Sequence, residues 1–241
     1  MKLKQVLSRL HALANPEKII LKQQKFGIVA DNSLGIYHAD LKKLAAEIGA
    51  DDELALALFD SGIYEARILC SKLYNPNKIT NTQMQTWVHS FENWEICDSF
   101  CMGFFVKSRH ALNKARQWSR SDAEFVKRAG FVIMAAYGFA HKNADNSVFE
   151  EFLTLIQQQA DDERLYVRKA VNWALRNIGK RNKDLHASAL ATANTLLARD
   201  CKSANWIARN AIAELKRPSV KMLDYPRHLY RNPDKIDEAR K

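Results

Sequence analysis

The sequence predicts an all-α protein built from stacked helix pairs, an α-α superhelix, and three observations carry that expectation. Apolar residues recur three and four places apart nearly throughout, as in LKKLAAEIG, EFVKRAGFVIMAAYGFA and RKAVNWALRNIG, while alternating apolar and polar runs are scarce. Only 8 glycines and 5 prolines occur in 241 residues, about 5% where ordinary usage is about 12%, too few for a many-turned sandwich or barrel. Finally, five segments stack without gaps: YEARILCSKL from Tyr64, EICDSFCMGF from Glu95, FVKRAGFVIM from Phe125, YVRKAVNWAL from Tyr166 and WIARNAIAEL from Trp206. With 47% hydrophobic residues the chain can bury a sizeable core.

The N-terminal MKLKQVLSRLHALANPEK is an amphipathic helix interrupted by charges, without the apolar core of a signal peptide. Polar breaks then punctuate the chain: Asn15-Pro16, Asp31-Asn32-Ser33, Tyr74-Asn75-Pro76-Asn77, His141 to Ser147, Arg181 to Asp184 and Arg217-Pro218-Ser219. Segments of helix-pair size lie between them, and no break is long enough for a linker. A single helical-repeat domain over residues 1–225 is therefore expected, followed by a loosely held, charged tail over 226–241. No stretch approaches the ~18 apolar residues of a membrane span, so a cytoplasmic monomer without membrane association is expected. Cys70, Cys97, Cys101 and Cys201 read as reduced core residues, and with neither CxxC nor HExxH the sequence calls for no metal and no cofactor.

The fourth position of the aligned segments reads Arg67, Asp98, Arg128, Lys169 and Arg209, at spacings of 31, 30, 41 and 40 residues. Periods of that size in a helical chain belong to HEAT-like or armadillo-like solenoids, in which equivalent positions form a ladder along a concave face. Four rungs are basic and one is acidic. In one reading these charges simply mark the solvent edge of each inner helix. In the other they build a concave basic groove that holds phosphates, with one carboxylate kept for another purpose. The balance of 37 Lys and Arg against 27 Asp and Glu, a net charge of +10, favours a polyanionic partner. Charge is also uneven: residues 40–65 hold seven acids, including Glu65, whereas residues 101–134 hold seven bases against Asp122 and Glu124.

In FENWEICDSF, Trp94 and Asp98 stand four apart on one helix face, so an indole and a carboxylate can act on one ligand. Trp173 shares a face with Lys169 and Arg176. Both tryptophans could instead be core residues, as Trp87, Trp118 and Trp206 are expected to be core or rim. The seven histidines form no constellation in the sequence.

These residues resemble the AlkD-like DNA alkylation repair glycosylases, which are built from HEAT-like repeats. The resemblance runs from ANPEK near Asn15 through LGIYHADLKKLA at Leu34 to KAVNWALRNIGKRNKD ending at Asp184, and its most specific element is the Trp-x-x-x-Asp of NWEICDS. It implies Asp98 as catalytic carboxylate, Trp94 as lesion-facing aromatic, Trp173 as second aromatic and Arg128 as a backbone contact. Arg67, Lys169, Arg176 and Arg209 join Arg128 as DNA-binding candidates. Asn93 and Glu95 flank the motif where members often carry Trp and Asp, and Phe26 stands where a tyrosine would fit. The expected activity is that of a monofunctional glycosylase removing cationic N3- or N7-alkylated purines from duplex DNA. The alternative is a non-catalytic HEAT-repeat module binding DNA or an acidic protein, which would have no need of Asp98 among bases.

Overall fold

A computed structural model gives the fold, and it describes residues 1–231. All regular structure among the described residues is helical, as periodicity predicts, and no helix among them is long and apolar enough to cross a membrane. Two compact units divide the chain, the first Met1–His110 and the second beginning at Ala111.

In the first unit, α1 (Leu3–Ala12) buries Val6 and Leu10 on one stripe. α2 (Pro16–Phe26) starts where the sequence places a break: the Asn15 side chain accepts from Lys18 N at 3.2 Å, Pro16 fills the first turn, and Gly27 ends the helix in the left-handed conformation. Next come α3 (His38–Ile48), α4 (Asp52–Asp60), α5 (Tyr64–Leu73), α6 (Asn81–His89), α7 (Trp94–Gly103) and a single 3-10 turn, Phe105–Lys107. α5 is the hub, packing on α1, α3, α4 and α7. Beside it an aromatic cluster fills the core: Trp87 stacks on Phe59 at 4.6 Å and meets Phe100 edge-on at 5.7 Å. Gly35 takes a φ of +72°, and a Cβ there would sit 2.2 Å from Asn15 O, so only glycine lets this loop lie against the start of α2.

The second unit comprises α8 (Ala111–Trp118), α9 (Glu124–Ala140), α10 (Asn146–Gln159), α11 (Leu165–Gly179), α12 (Lys183–Leu197), α13 (Lys202–Leu215) and the short α14 (Arg227–Tyr230). α9 is apolar nearly all round, as a helix packed between α8 and α11 must be. α11 in turn packs against α12 and α13. The five aligned segments therefore lie in α5 and α7 of one unit and α9, α11 and α13 of the other, and within each unit successive members are packing neighbours. Arg181 is fully buried; its guanidinium donates to the carbonyls of Gly138, Lys142 and Ala144 at 2.8–2.9 Å and lies over the Phe149 ring. Burial lowers its pKa to about 10.

Some expectations need correction. Glu65, one of the seven acids counted in residues 40–65, is fully buried and accepts hydrogen bonds from Ser33 Oγ and the backbone N–H groups of Leu34, Gly35 and Ile36, closing that loop onto α5. Cys70, Cys97 and Cys101 are buried as expected, but Cys201 is half-exposed at the start of α13. The tail read as loosely held begins with α14, and the Tyr230 hydroxyl there donates to Asp184 and accepts from Asn146 Nδ2. Its remainder, 232–241, lies outside the described residues.

Candidate active site

α7 carries the site, and its orientation is fixed from its first turn. Asn93 is buried, and its Oδ1 accepts from Glu95 N at 2.9 Å and Ile96 N at 3.2 Å, while its Nδ2 donates to Val29 O. Glu95 points inward. Its Oε2 lies 2.9 Å from Lys22 Nζ and 3.0 Å from the Tyr64 hydroxyl, and its Oε1 lies 3.5 Å from His38 Nε2. Burial works to raise the Glu95 pKa, but the His38 hydrogen bond and the Lys22 charge outweigh it, and the carboxyl is held below its ordinary value. One carboxylate thus ties α2, α3 and α5 to α7.

Asp98 stands one turn beyond Trp94 on the same face. Both line an open cleft of about 410 Å³ together with His38, Lys72, Ser99 and Met102. Trp94 is half-buried, and its indole N–H donates to Phe26 O at 3.0 Å. Phe26 itself is 46% exposed. Ser99 Oγ lies 3.3 Å from His38 Nε2 and donates to Glu95 O, so it is already engaged.

The remaining sequence candidates fall into two kinds. Arg67 on α5 donates to Glu92 at 2.9 Å and to Ser90 O at 2.6 Å, so its guanidinium holds the loop before α7. In the second unit Arg128 is buried and donates to Tyr166 O at 2.7 Å, and Arg176 is paired with Glu214, which Lys180 also holds. Lys169 and Arg209, at equivalent positions of α11 and α13, are exposed. Trp173 is half-buried on α11. Of the other tryptophans, Trp87 and Trp118 are core, and Trp206 is half-buried beneath the Arg168 guanidinium, 4.7 Å from its ring. The first unit therefore brings Trp94 and Asp98 together, while Arg128, Lys169, Arg176, Arg209 and Trp173 belong to the second.

Sequence reasoning passed over His38, Lys72 and Ser99, which line the cleft, and Lys22, which holds Glu95. Ser99 follows Asp98 directly, but His38, Lys72 and Lys22 come from α3, α5 and α2 and leave no local spacing signal.

Comparison with known proteins agrees with this architecture. An uncharacterised protein of Listeria monocytogenes, Lmo0209, is 27% identical over 195 residues, covering 80% of this chain and 85% of that protein. Its counterpart Lin0241 of Listeria innocua is 26% identical over the same shares. A solved member of a family described as related to the HEAT-like repeat DNA glycosylases, with affinity for branched DNA structures, superposes with a TM-score of 0.75 at 19% identity, covering 92% of this chain and 97% of that one. The smu.31 protein of Streptococcus mutans gives a TM-score of 0.51 at 20% identity, covering 87% and 98%. At those identities the two structures speak for the fold, a HEAT-like helical repeat. The sequence model of the DNA alkylation repair enzymes matches residues 6–215, nearly the whole described chain, and the protein belongs to that family.

Proposed function

We propose that the protein is a DNA glycosylase that excises positively charged N3- or N7-alkylated purines from duplex DNA. The observation that carries this reading is the pairing of Trp94 and Asp98 on one face of α7, lining one open cleft. An N3- or N7-alkylpurine already bears positive charge, so its glycosidic bond breaks to release a neutral base, and no strong general acid is needed. Positive charge develops on the sugar as an oxocarbenium ion. A carboxylate near C1′ stabilises that charge, which is the role of Asp98, and the same carboxylate orients the attacking water. The Trp94 face attracts the cationic nucleotide, worth roughly 0.5 to 2 kcal/mol, and Trp173 is the candidate for a second such face. Lys169 and Arg209 are exposed and offer contacts to phosphates, which would compensate the repulsion between Asp98 and the backbone. Arg128, expected to make a backbone contact beside the lesion, is buried against Tyr166 O and reaches a phosphate only by leaving that carbonyl. Arg67 and Arg176 hold carboxylates and act on DNA indirectly, by shaping the helices that carry the contacts.

A second reading is favoured by the structural neighbour whose family has affinity for branched DNA: a module that binds DNA without cleaving a bond. Incubating the protein with alkylated duplex and identifying released bases by mass spectrometry separates the two. Release of N3-methyladenine or N7-methylguanine above the spontaneous rate supports the glycosylase. Tight binding with no release supports the module.

A further inference from the structure

A second pocket, of about 540 Å³, opens in the second unit between the first turn of α11 and α13, lined by Arg168 from the one helix and Lys202, Trp206 and Arg209 from the other. Arg168 lies over the Trp206 indole, its guanidinium carbon 4.7 Å from the ring centroid, and among the described residues no other ring packs on that indole. Stacking alone holds the guanidinium. It makes no ion pair and no side-chain hydrogen bond among the described residues, and its Nε is buried without a partner. Other arginines of this unit are committed: Arg116 holds Glu151, Arg164 holds Asp162 and Arg199 holds Asp161, at 2.6–3.1 Å. Lys202 and Arg209 are exposed and, like Arg168, pair with no carboxylate among the described residues, although Asp200 lines the same pocket. Three uncommitted cations and an aromatic ring, set against a single acid, suit a ligand that is both anionic and flat.

We propose that this pocket binds an unpaired nucleotide of DNA, with the base stacked on the Arg168 guanidinium and the adjoining phosphates held by Lys202 and Arg209. A planar cation laid on an indole presents its outer face to the pocket, and any of the four bases can stack there because each has a π-face. In a duplex that face is covered by the neighbouring pairs, so the stack selects nucleotides freed from pairing. Phosphate contacts carry no sequence information. The pocket is therefore tolerant of sequence and selective for strand state. From the function proposed above this takes only that DNA is the partner: it uses none of the residues that line the α7 cleft, and Arg209 keeps the phosphate-binding role already given to it.

The test is binding of a short fluorescein-labelled oligothymidylate, which forms no duplex, beside a blunt duplex of the same length, both followed by fluorescence anisotropy. Trp206→Leu removes the ring and keeps an apolar side chain, and Arg168→Gln removes the planar cation. Each should weaken oligothymidylate binding at least about fivefold, as loss of one stacked base does, and leave duplex binding within about twofold of wild type. Lys202→Gln should lower the slope of log K against log salt for the single strand by about 0.7. With 5-iodouracil in place of thymine, irradiation should join the strand to the tryptic peptide Ser203–Arg209, which carries Trp206. Circular dichroism melts check that each variant folds; where Trp206→Leu does not, Arg168→Gln and the cross-link decide. Absence of oligothymidylate binding by the wild type, equal losses on single strand and duplex, a cross-link confined to other peptides, or tighter binding of oligouridylate than of oligothymidylate would each overturn the proposal. Release of N7-methylguanine is scored separately. Release without single-strand binding removes this pocket alone, whereas single-strand binding at Trp206 without release keeps it and removes the alkylbase reading.

Discussion

Replacing Glu95 with Ala tests whether α7 is held by the buried ion pair. The substitution removes the acceptor 2.9 Å from Lys22 Nζ and leaves that ammonium, only 5% exposed, with the Ile36 carbonyl at 3.3 Å as its remaining partner. The Tyr64 hydroxyl keeps Asn93 Oδ1 at 2.9 Å. Stranding one member of a buried pair costs about 3–5 kcal/mol, far above the ~0.5 kcal/mol of an ordinary surface change. Urea unfolding followed by far-UV circular dichroism reads the difference through the midpoint. The double variant Lys22→Met with Glu95→Leu removes both charges and should recover most of the loss, because well-packed apolar replacements of buried pairs are often neutral or stabilising. The sign with pH also follows. The folded carboxyl lies below its unfolded value, so the Glu95 contribution is present above the ordinary glutamate pKa and fades as pH falls through the folded one. A single variant within about 1 kcal/mol of wild type, or a double variant worse than either single one, would refute the assignment.

Other outcomes follow from the same geometry. Asp98→Asn should lower single-turnover N7-methylguanine release by about 10² to 10³ with the thermal melt nearly unchanged; wild-type release would remove Asp98 from the mechanism. Binding to undamaged duplex should weaken steeply with salt, and Lys169→Ala or Arg209→Ala should each reduce the slope of log K against log salt by about one unit. Arg67→Ala should instead leave the slope alone and destabilise the fold, because its guanidinium serves Glu92 and Ser90; fluorescence anisotropy over a salt series distinguishes them. Asp162 is desolvated, which raises its pKa, but hydrogen bonds from Arg164 and Lys127 bring it down to about 2. Against an unfolded value near 3.8 that is on the order of 2 kcal/mol, fully present above pH ~4 and lost as pH falls toward 2. Asp162→Asn should therefore flatten the acid limb of the stability curve.

The parts of this fold that were legible in the sequence are those that repeat. A three-and-four periodicity makes helices, and the gapless alignment of Tyr64, Glu95, Phe125, Tyr166 and Trp206 picked out helices that pack as successive neighbours within each unit, because equivalent packing positions demand equivalent side chains. The short breaks were harder. Gly49 and Gly62 take φ of +78° and +71° and divide the region 38–73 into three helices, yet a lone glycine in a helical pattern is a weak stop signal. Burial of charge was not legible at all. Glu65 and Glu95 look like any surface acids, and what makes them structural comes from 29 to 32 and from 31 to 73 residues away.

The two carboxylates of α7 show why the chemistry should rest on one of them. Glu95 and Asp98 are three residues apart, about 60° around the helix, and both line the cleft. Glu95 is committed: an ammonium, a phenol and an imidazole surround its two oxygens, and a proton or water could be taken up only by breaking one of those contacts. It is thereby well suited to hold the rotation of α7 about its axis, which sets where its neighbour points. Asp98 lies on the side shared with Trp94, whose indole N–H is anchored to the end of α2. On the proposed glycosylase reading the helix divides the work, one acid for position and one for charge. A Glu95 substitution should accordingly reduce excision by misplacing Asp98, with a loss that tracks the loss of stability. An Asp98 substitution should reduce excision while the melt stays put, and that separation can be measured on the same two variants.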